Sequence, residues 1–293
     1  MAPIDRVVFG DNQFFGINHM SQDKAQAMTE RFHHIDSIFD VYQMAFDSGV
    51  RAVMLNSNDR AAAICDRFRA EASCLPAISW YPSIPYPHKY ASLVAEKGLV
   101  GALNDVVFHD SALGGLGRIL QGGIALVSRD GMQLMRTLVD AEMAMFKSLD
   151  VRVIFVQNIV TDLLLGLGVK DFFADYCEHV RRKYQAKPGF ITQNLPALRE
   201  ALIAWGIRDV VICAPVNKIG YLMSPDLDTC ERATRDNDPA DYEIMAMSTL
   251  ASGALPAIEA YDYVNAQNIQ SVVFGASSRA NIEQTVRLIS ERR

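Results

Sequence analysis

A single-domain (β/α)8 barrel spanning residues 1–293 is the fold that the sequence predicts, and three features predict it. Short apolar runs alternate with amphipathic helical stretches along nearly the whole chain, which implies a parallel sheet with helices packed outside it. The 293 residues, half of them hydrophobic, suffice for one large core, since a single α/β barrel commonly uses about 250. The apolar runs end, again and again, in Asp, Asn, Gln, His or Lys, the kind of residue found where a barrel places its chemistry. An open doubly wound sheet is the alternative architecture.

In chain order, Val7, Val8 and Phe9 form a first strand that opens onto Asp11, Asn12 and a polar loop reaching His19. A helix is expected over 35–48, with Ile35, Ile38, Phe39, Tyr42 and Phe46 on one face and Gly49 as its stop. Residues 51–55 form a second strand ending in Asn56, and a helix follows through Phe68. Residues 75–80 read as a third strand, with Pro82, Pro85 and Pro87 marking a loop behind it. Beyond a helix over 88–103, residues 106–108 are a further strand candidate, directly before His109 and Asp110.

Strands at 151–156, 189–192, 210–213, 244–247 and around 272–274 complete the series, separated by helices at 131–149, 171–184, 195–205 and 248–264. The charged segment 224–241 reads as an exposed excursion. That makes nine strand candidates for eight places, and those at Leu75 and Val106 are the weakest. No linker divides the chain, and no internal repeat is visible.

A net charge of −6 without a basic cluster argues against nucleic acid as a partner. No apolar stretch is long enough for a membrane span, and the N-terminus lacks a basic segment followed by an apolar one. Five scattered cysteines without a CxxC pair fit reduced thiols in a cytoplasmic protein and give no metal framework. His33 and His34 lack further ligands at metal-binding spacing, so no metal site is expected. The partner expected is a small molecule, and association into a homo-oligomer is left open.

Carboxamides recur at five strand ends, and Asn12, Asn56, Gln157, Asn158, Asn194 and Asn217 form a candidate substrate-binding ring with Tyr81. Each carboxamide offers both a donor and an acceptor, as a substrate rich in hydroxyls or carbonyls requires. The bland alternative is turn chemistry, because Asn is favoured where chains bend. Lys218, if partly buried, would have a lowered pKa and serve as a proton carrier or Schiff-base nucleophile; a lysine reaching into solvent is the competing reading. His109, His19 and Asp11 are the remaining candidates for proton transfer. After the last strand, Ser277 or Ser278 can cap a helix whose free N–H groups attract anions, with Arg279 and Asn281 beside them.

The C-terminal third resembles the aldo/keto reductases in four pieces that come in that family's order. They are Phe190-Ile191-Thr192-Gln193-Asn194, then 211–217, then 246–253, then Val273-Phe274-Gly275-Ala276-Ser277-Ser278-Arg279-Ala280-Asn281-Ile282. The resemblance implies a (β/α)8 barrel, an NADPH cofactor, and a grip on its 2′-phosphate by Ser277, Ser278, Arg279 and Asn281. The family's catalytic tetrad is an Asp and a Tyr after the second strand, a Lys on the third and a His on the fourth. Here the second strand ends Leu55-Asn56-Ser57-Asn58 and the third carries no Lys. Only His109 is a candidate for a tetrad place, with Tyr81 as a stand-in.

With that tetrad broken, the leading expectation is a lyase, aldolase or isomerase acting on a polar, anionic carbonyl or polyhydroxylated substrate, with Lys218 and His109 reacting. A divergent NADPH-dependent reductase is the alternative, and a non-catalytic binding barrel a third.

Overall fold

The computed structural model describes residues 2–15, 30–72, 75–85 and 129–291. Eight parallel strands close on themselves: β1 (Val7–Phe9), β2 (Ala52–Asn56), β3 (Ser79–Ile84), β4 in two pieces (Asp150–Val151 and Val153–Val156), β5 (Lys187–Ile191), β6 (Val210–Pro215), β7 (Tyr242–Met247) and β8 (Ser271–Phe274). Each pairs with its sequence neighbours, and β8 returns to β1 with Val7, Val8 and Phe9 opposite Val272, Val273 and Phe274. The barrel expected from the alternating pattern is the fold observed.

Nine α-helices lie outside the barrel among the described residues: α1 (Ile35–Asp47), α2 (Ala61–Ala70), α3 (Arg129–Met143), α4 (Asn158–Gly166), α5 (Lys170–Tyr184), α6 (Leu195–Trp205), α7 (Leu227–Arg235), α8 (Ala257–Ala266) and α9 (Arg279–Ser290). α1 stops at the expected glycine, since Gly49 adopts a φ of 94°, which L side chains rarely adopt. The polar segment 224–241 is not an excursion: it carries α7, whose Cys230, Ala233 and Thr234 are buried. Its charges lie on the outer face of an amphipathic helix.

Two of the predicted strands are corrected. The third runs four residues later than expected, because Pro82 stands inside it, opposite Leu55, although proline cannot donate to the ladder. The fourth barrel strand is at 150–156, so the candidate at 106–108 is not needed to close the barrel; that run lies outside the described residues.

Alternating strand residues divide the core in two. Val8, Ala52, Met54, Tyr81, Val153, Phe155, Ile191, Val211, Cys213 and Met245 fill the barrel, and the other face of each strand packs on the helices. The amino-terminal end of the barrel is closed by the chain's own start. The Tyr81 hydroxyl donates to Asp5 Oδ2 at 2.6 Å and accepts from the Asp5 main-chain N–H at 2.9 Å, and Ser271 Oγ donates to the Asp5 carbonyl at 2.6 Å. The Ile4 N–H reaches Glu243 Oε1 at 3.0 Å, and Glu243 is paired with the buried Lys187. The carboxyl ends of the strands form the opposite mouth of the barrel.

The barrel interior has no spare volume at Gly189. A Cβ there would stand 2.4 Å from Phe155 Cδ1 and 2.8 Å from Val153 Cγ1. Gly189→Ala is expected to lower the free energy of unfolding by about 1–3 kcal/mol in urea titration, the usual cost of overpacking a filled core.

Candidate active site

At the mouth, the end of β1 is turned inward. Gly10 N–H bonds the Phe274 carbonyl at 2.8 Å, and a 3-10 turn (Asn12–Phe14) follows. Phe14 pins that turn by packing against Phe32 and Tyr42, with ring centroids 5.1 and 5.2 Å away. Asp11 is thereby driven into the protein and is 2% exposed. Its Oδ2 accepts from the Asn56 main-chain N–H at 2.9 Å and its Oδ1 from Asn56 Nδ2 at 2.5 Å. Asn58 Nδ2 lies 3.4 Å from Oδ2, and Asn56 Nδ2 also reaches Asn12 Oδ1 at 3.4 Å.

The network continues across the barrel. Gln157, immediately after β4, donates through Nε2 to Asn56 Oδ1 at 2.5 Å and to Ser83 Oγ at 2.6 Å. Residues after β1, on β2 and β3, and after β4 are thus tied together, with Asp11 the one ionisable group among them. Burial pushes the Asp11 carboxyl up to about 7, against the opposing pull of the bonds from Asn56. Beneath it, burial and the Asp11 charge hold the Tyr42 hydroxyl well above its ordinary value.

The predicted residues separate into groups. Asp11, Asn12, Asn56 and Gln157 meet in this network, and Asn158 begins α4 beside it. Asn194 caps α6, accepting from the Ala197 N–H at 3.2 Å. Asn217 is fully buried and closes a turn, its Nδ2 donating to the Tyr221 carbonyl at 2.8 Å and its Oδ1 accepting from the Tyr221 N–H at 2.8 Å. At these two positions turn and cap chemistry accounts for the carboxamide. Tyr81 points to the opposite end of the barrel, toward Asp5.

Lys218 is the clearest correction: its side chain is 52% exposed and its ammonium pairs with Glu259 at 2.6 Å. Exposed and ion-paired, it is not the partly buried amine that was expected. His19, His109 and Asp110 lie outside the described residues. The resemblance places the tetrad His on the fourth strand, which here ends at Val156 with Gln157 next.

At the start of α9, Ser278 Oγ accepts from the Asn281 N–H at 3.4 Å, the expected cap. Arg279 is half exposed and bonds Asp47 at 2.9 Å, with Glu283 at 3.8 Å. Arg31, which no local pattern singles out, donates to the Ser277 carbonyl at 2.8 Å and to Ser277 Oγ at 3.3 Å. Two guanidinium groups beside the leading N–H groups of a helix suit a phosphate ester, although Asp47 and Glu283 offset part of the charge. Asn58 and Ser83 are further members missed in the sequence. Asn58 lies just past the end of β2, whereas Ser83 falls in the stretch where the prolines suggest a loop. Asp162 supplies a second carboxyl at the mouth: it accepts from Thr192 Oγ1 at 2.5 Å and from the Gln193 N–H at 3.1 Å, and burial raises its pKa.

No cluster of His, Cys, Asp and Glu suited to a metal is present among the described residues, and no described helix is long and apolar enough to cross a membrane. Burial pushes the Cys65 and Cys177 thiols up to about 12, so they stay protonated and packed.

The closed (β/α)8 barrel is similar in fold to the aldo/keto reductases. Solved structures carry the same architecture over nearly the whole chain. A Pseudomonas aeruginosa protein assigned to the aldo-keto reductases is 12% identical with a TM-score of 0.61, covering 99% of this chain and 91% of its own. The aldose reductase of Schistosoma japonicum is 8% identical with a TM-score of 0.56, covering 100% and 88%. An aldo/keto reductase from Brucella melitensis is 10% identical with a TM-score of 0.51, covering 97% and 88%. The likeness therefore extends well beyond the C-terminal third in which it is legible in the sequence. The sequence matches no family model and no curated protein.

Asp11 leaves a mark on stability. Its folded pKa of about 7 lies above the unfolded value near 3.8, so the native state holds the proton more tightly. That contribution is fully present below about pH 4 and is lost as the pH rises through 7, by on the order of 4 kcal/mol at most. Urea midpoints measured from pH 4 to 8 are expected to fall for wild type relative to Asp11→Asn across this window; parallel curves would show that Asp11 titrates normally.

Proposed function

We propose that the chain is an NADPH-dependent oxidoreductase of aldo/keto-reductase type that acts on a small, polar carbonyl compound, with Asp11 moving the proton. The observation that carries this reading is the Asp11 carboxyl at the barrel mouth, raised to about 7 by burial and bonded by carboxamides. Reduction of a carbonyl needs a proton at oxygen, and a donor with a pKa near 7 is matched to that task. The bound cofactor would contribute a hydride to the carbonyl carbon. Everything else falls to the chain's own residues.

Asp11 gives its proton to the developing alkoxide and is left as a carboxylate, which solvent reprotonates after the alcohol leaves. The Asn56 N–H and Nδ2 receive that charge as it forms, so the site need not reorganise. Asn12, the exposed member of the network, offers polar groups for substrate, and Gln157 keeps Asn56 in register. Ser277, Ser278, Arg279 and Asn281, with Arg31, are the residues suited to the cofactor's phosphate. The favoured lyase or aldolase chemistry loses its amine, because Lys218 is solvated and ion-paired. The structural neighbours, all reductases by name, support the oxidoreductase reading instead.

NADPH fluorescence titration is expected to give micromolar binding, weakened about tenfold in Arg279→Ala, which is one charge-assisted contact. Carbonyl reduction by wild type should fall as pH rises above about 7, because the protonated acid is required. Asp11→Asn should lose that pH limb and about 10²–10⁴ in kcat while still binding NADPH. Wild-type protein that binds no NADPH at millimolar concentration refutes the reading.

A further inference from the structure

α4 departs from the pattern of the other outer helices. Ile159, Leu163 and Leu167 are 50%, 41% and 60% exposed, and they recur at spacings of four. Leu167 stays in helical register, its N–H bonding the Leu163 carbonyl at 3.0 Å, so the three form one ridge. The opposite side of the helix is already occupied, with Thr161 and Leu164 buried. Asp162 is the one ionisable residue of α4, and it is turned aside to Thr192 and Gln193. α4 is therefore apolar both on the face that packs and on the face that does not. That pattern belongs to a helix covered on both sides.

Charge decides what fits there. α1, α2, α5, α7, α8 and α9 present Asp36, Asp66, Arg182, Arg235, Glu259 and Glu283 to solvent. The exposed residues of the α4 face are Ile159, Leu163, Gly166 and Leu167, none of them charged. An acidic or basic partner finds no counter-charge on it. In a two-fold contact a surface meets its own copy, so a charged face would set like charges against each other. With a net charge of −6, two copies repel over most approaches, and this uncharged ridge is spared. Ridges at four-residue spacing interlock when two such helices cross. We propose that α4 is a self-association surface on which a second copy of this chain docks about a two-fold axis, with Leu163 meeting its own copy there.

The three side chains expose roughly 300 Å² per copy, a patch of the size that is often functional. A stable interface covers about 800 Å² on each partner, so this contact forms a dimer that comes apart on dilution, with a dissociation constant on the order of 10 µM. It uses no residue of the barrel mouth and is independent of the NADPH-dependent reading.

Sedimentation equilibrium over about 1–200 µM is the test, and wild type is expected to pass from monomer to dimer across that range. Leu163→Glu should weaken association at least about tenfold by setting two carboxylates against each other at the axis, and Leu167→Glu should do the same from the end of the ridge. Ile203→Glu, at an exposed apolar residue of α6, should leave association unchanged. An equimolar mixture of Leu163→Glu and Leu163→Lys should restore the dimer, because only self-pairing brings this position against itself. If Leu163→Glu lowers the melting temperature, Leu167→Glu, at the most exposed position of the ridge, carries the decision. Wild type that stays monomeric throughout overturns the inference, whatever else it binds, phosphatidylcholine vesicles included. So does a dimer that survives both Leu163→Glu and Leu167→Glu, a dimer that Ile203→Glu dissolves equally, or a mixture that stays monomeric.

Discussion

A carboxyl group withdrawn from water has to be met by donors, and at Asp11 those donors come from other strands. Asn56 supplies two of them, and Gln157 holds Asn56 in turn while bonding Ser83. The end of β1 is thereby fixed to β2, β3 and the exit of β4. Desolvation remains larger than the stabilisation these bonds provide, and the carboxyl settles near neutrality instead of at the usual carboxylate value. Both the shape of the mouth and its acid–base character follow from that balance.

The two ends of the barrel divide their work. At the amino-terminal end, Asp5, Tyr81, Glu243 and Lys187 satisfy one another and seal the interior. At the carboxyl end, Asp11, Asn12, Asn56, Ser83 and Gln157 form a polar network on the face where such barrels carry ligands. Tyr81 illustrates the division, since one strand carries it toward the base and Ser83 toward the mouth.

The strand ends around Asp11 hold neutral groups. The second strand ends in Asn56, the third carries Ser83, and Gln157 follows the fourth. Amides neither gain nor lose protons near pH 7, so they orient and polarise without competing for the proton. Asp11 is then the one ionisable group in its network.

The barrel was legible because alternation between apolar runs and helices is a local pattern, and because eight of the nine candidate runs became its strands. The third strand was misplaced where Pro82 mimicked a loop, and α7 was missed under its surface charge. Of the site, the residue types and their places at strand ends could be read, as could the cap at Ser278. Which of those side chains meet could not. Lys218 is solvated because Glu259, 41 residues on, lies within reach, and Asn217 is spent on its own turn. Asp11 is raised toward neutrality by burial in the closed barrel, where the carboxamides that bond it, Asn56 and Asn58, lie more than 40 residues away. Sequence alone determined the periodicity and hence the fold, since both depend on neighbours along the chain. Tertiary structure decided burial and partnership, because the groups that desolvate or pair a side chain are brought to it only when the barrel closes.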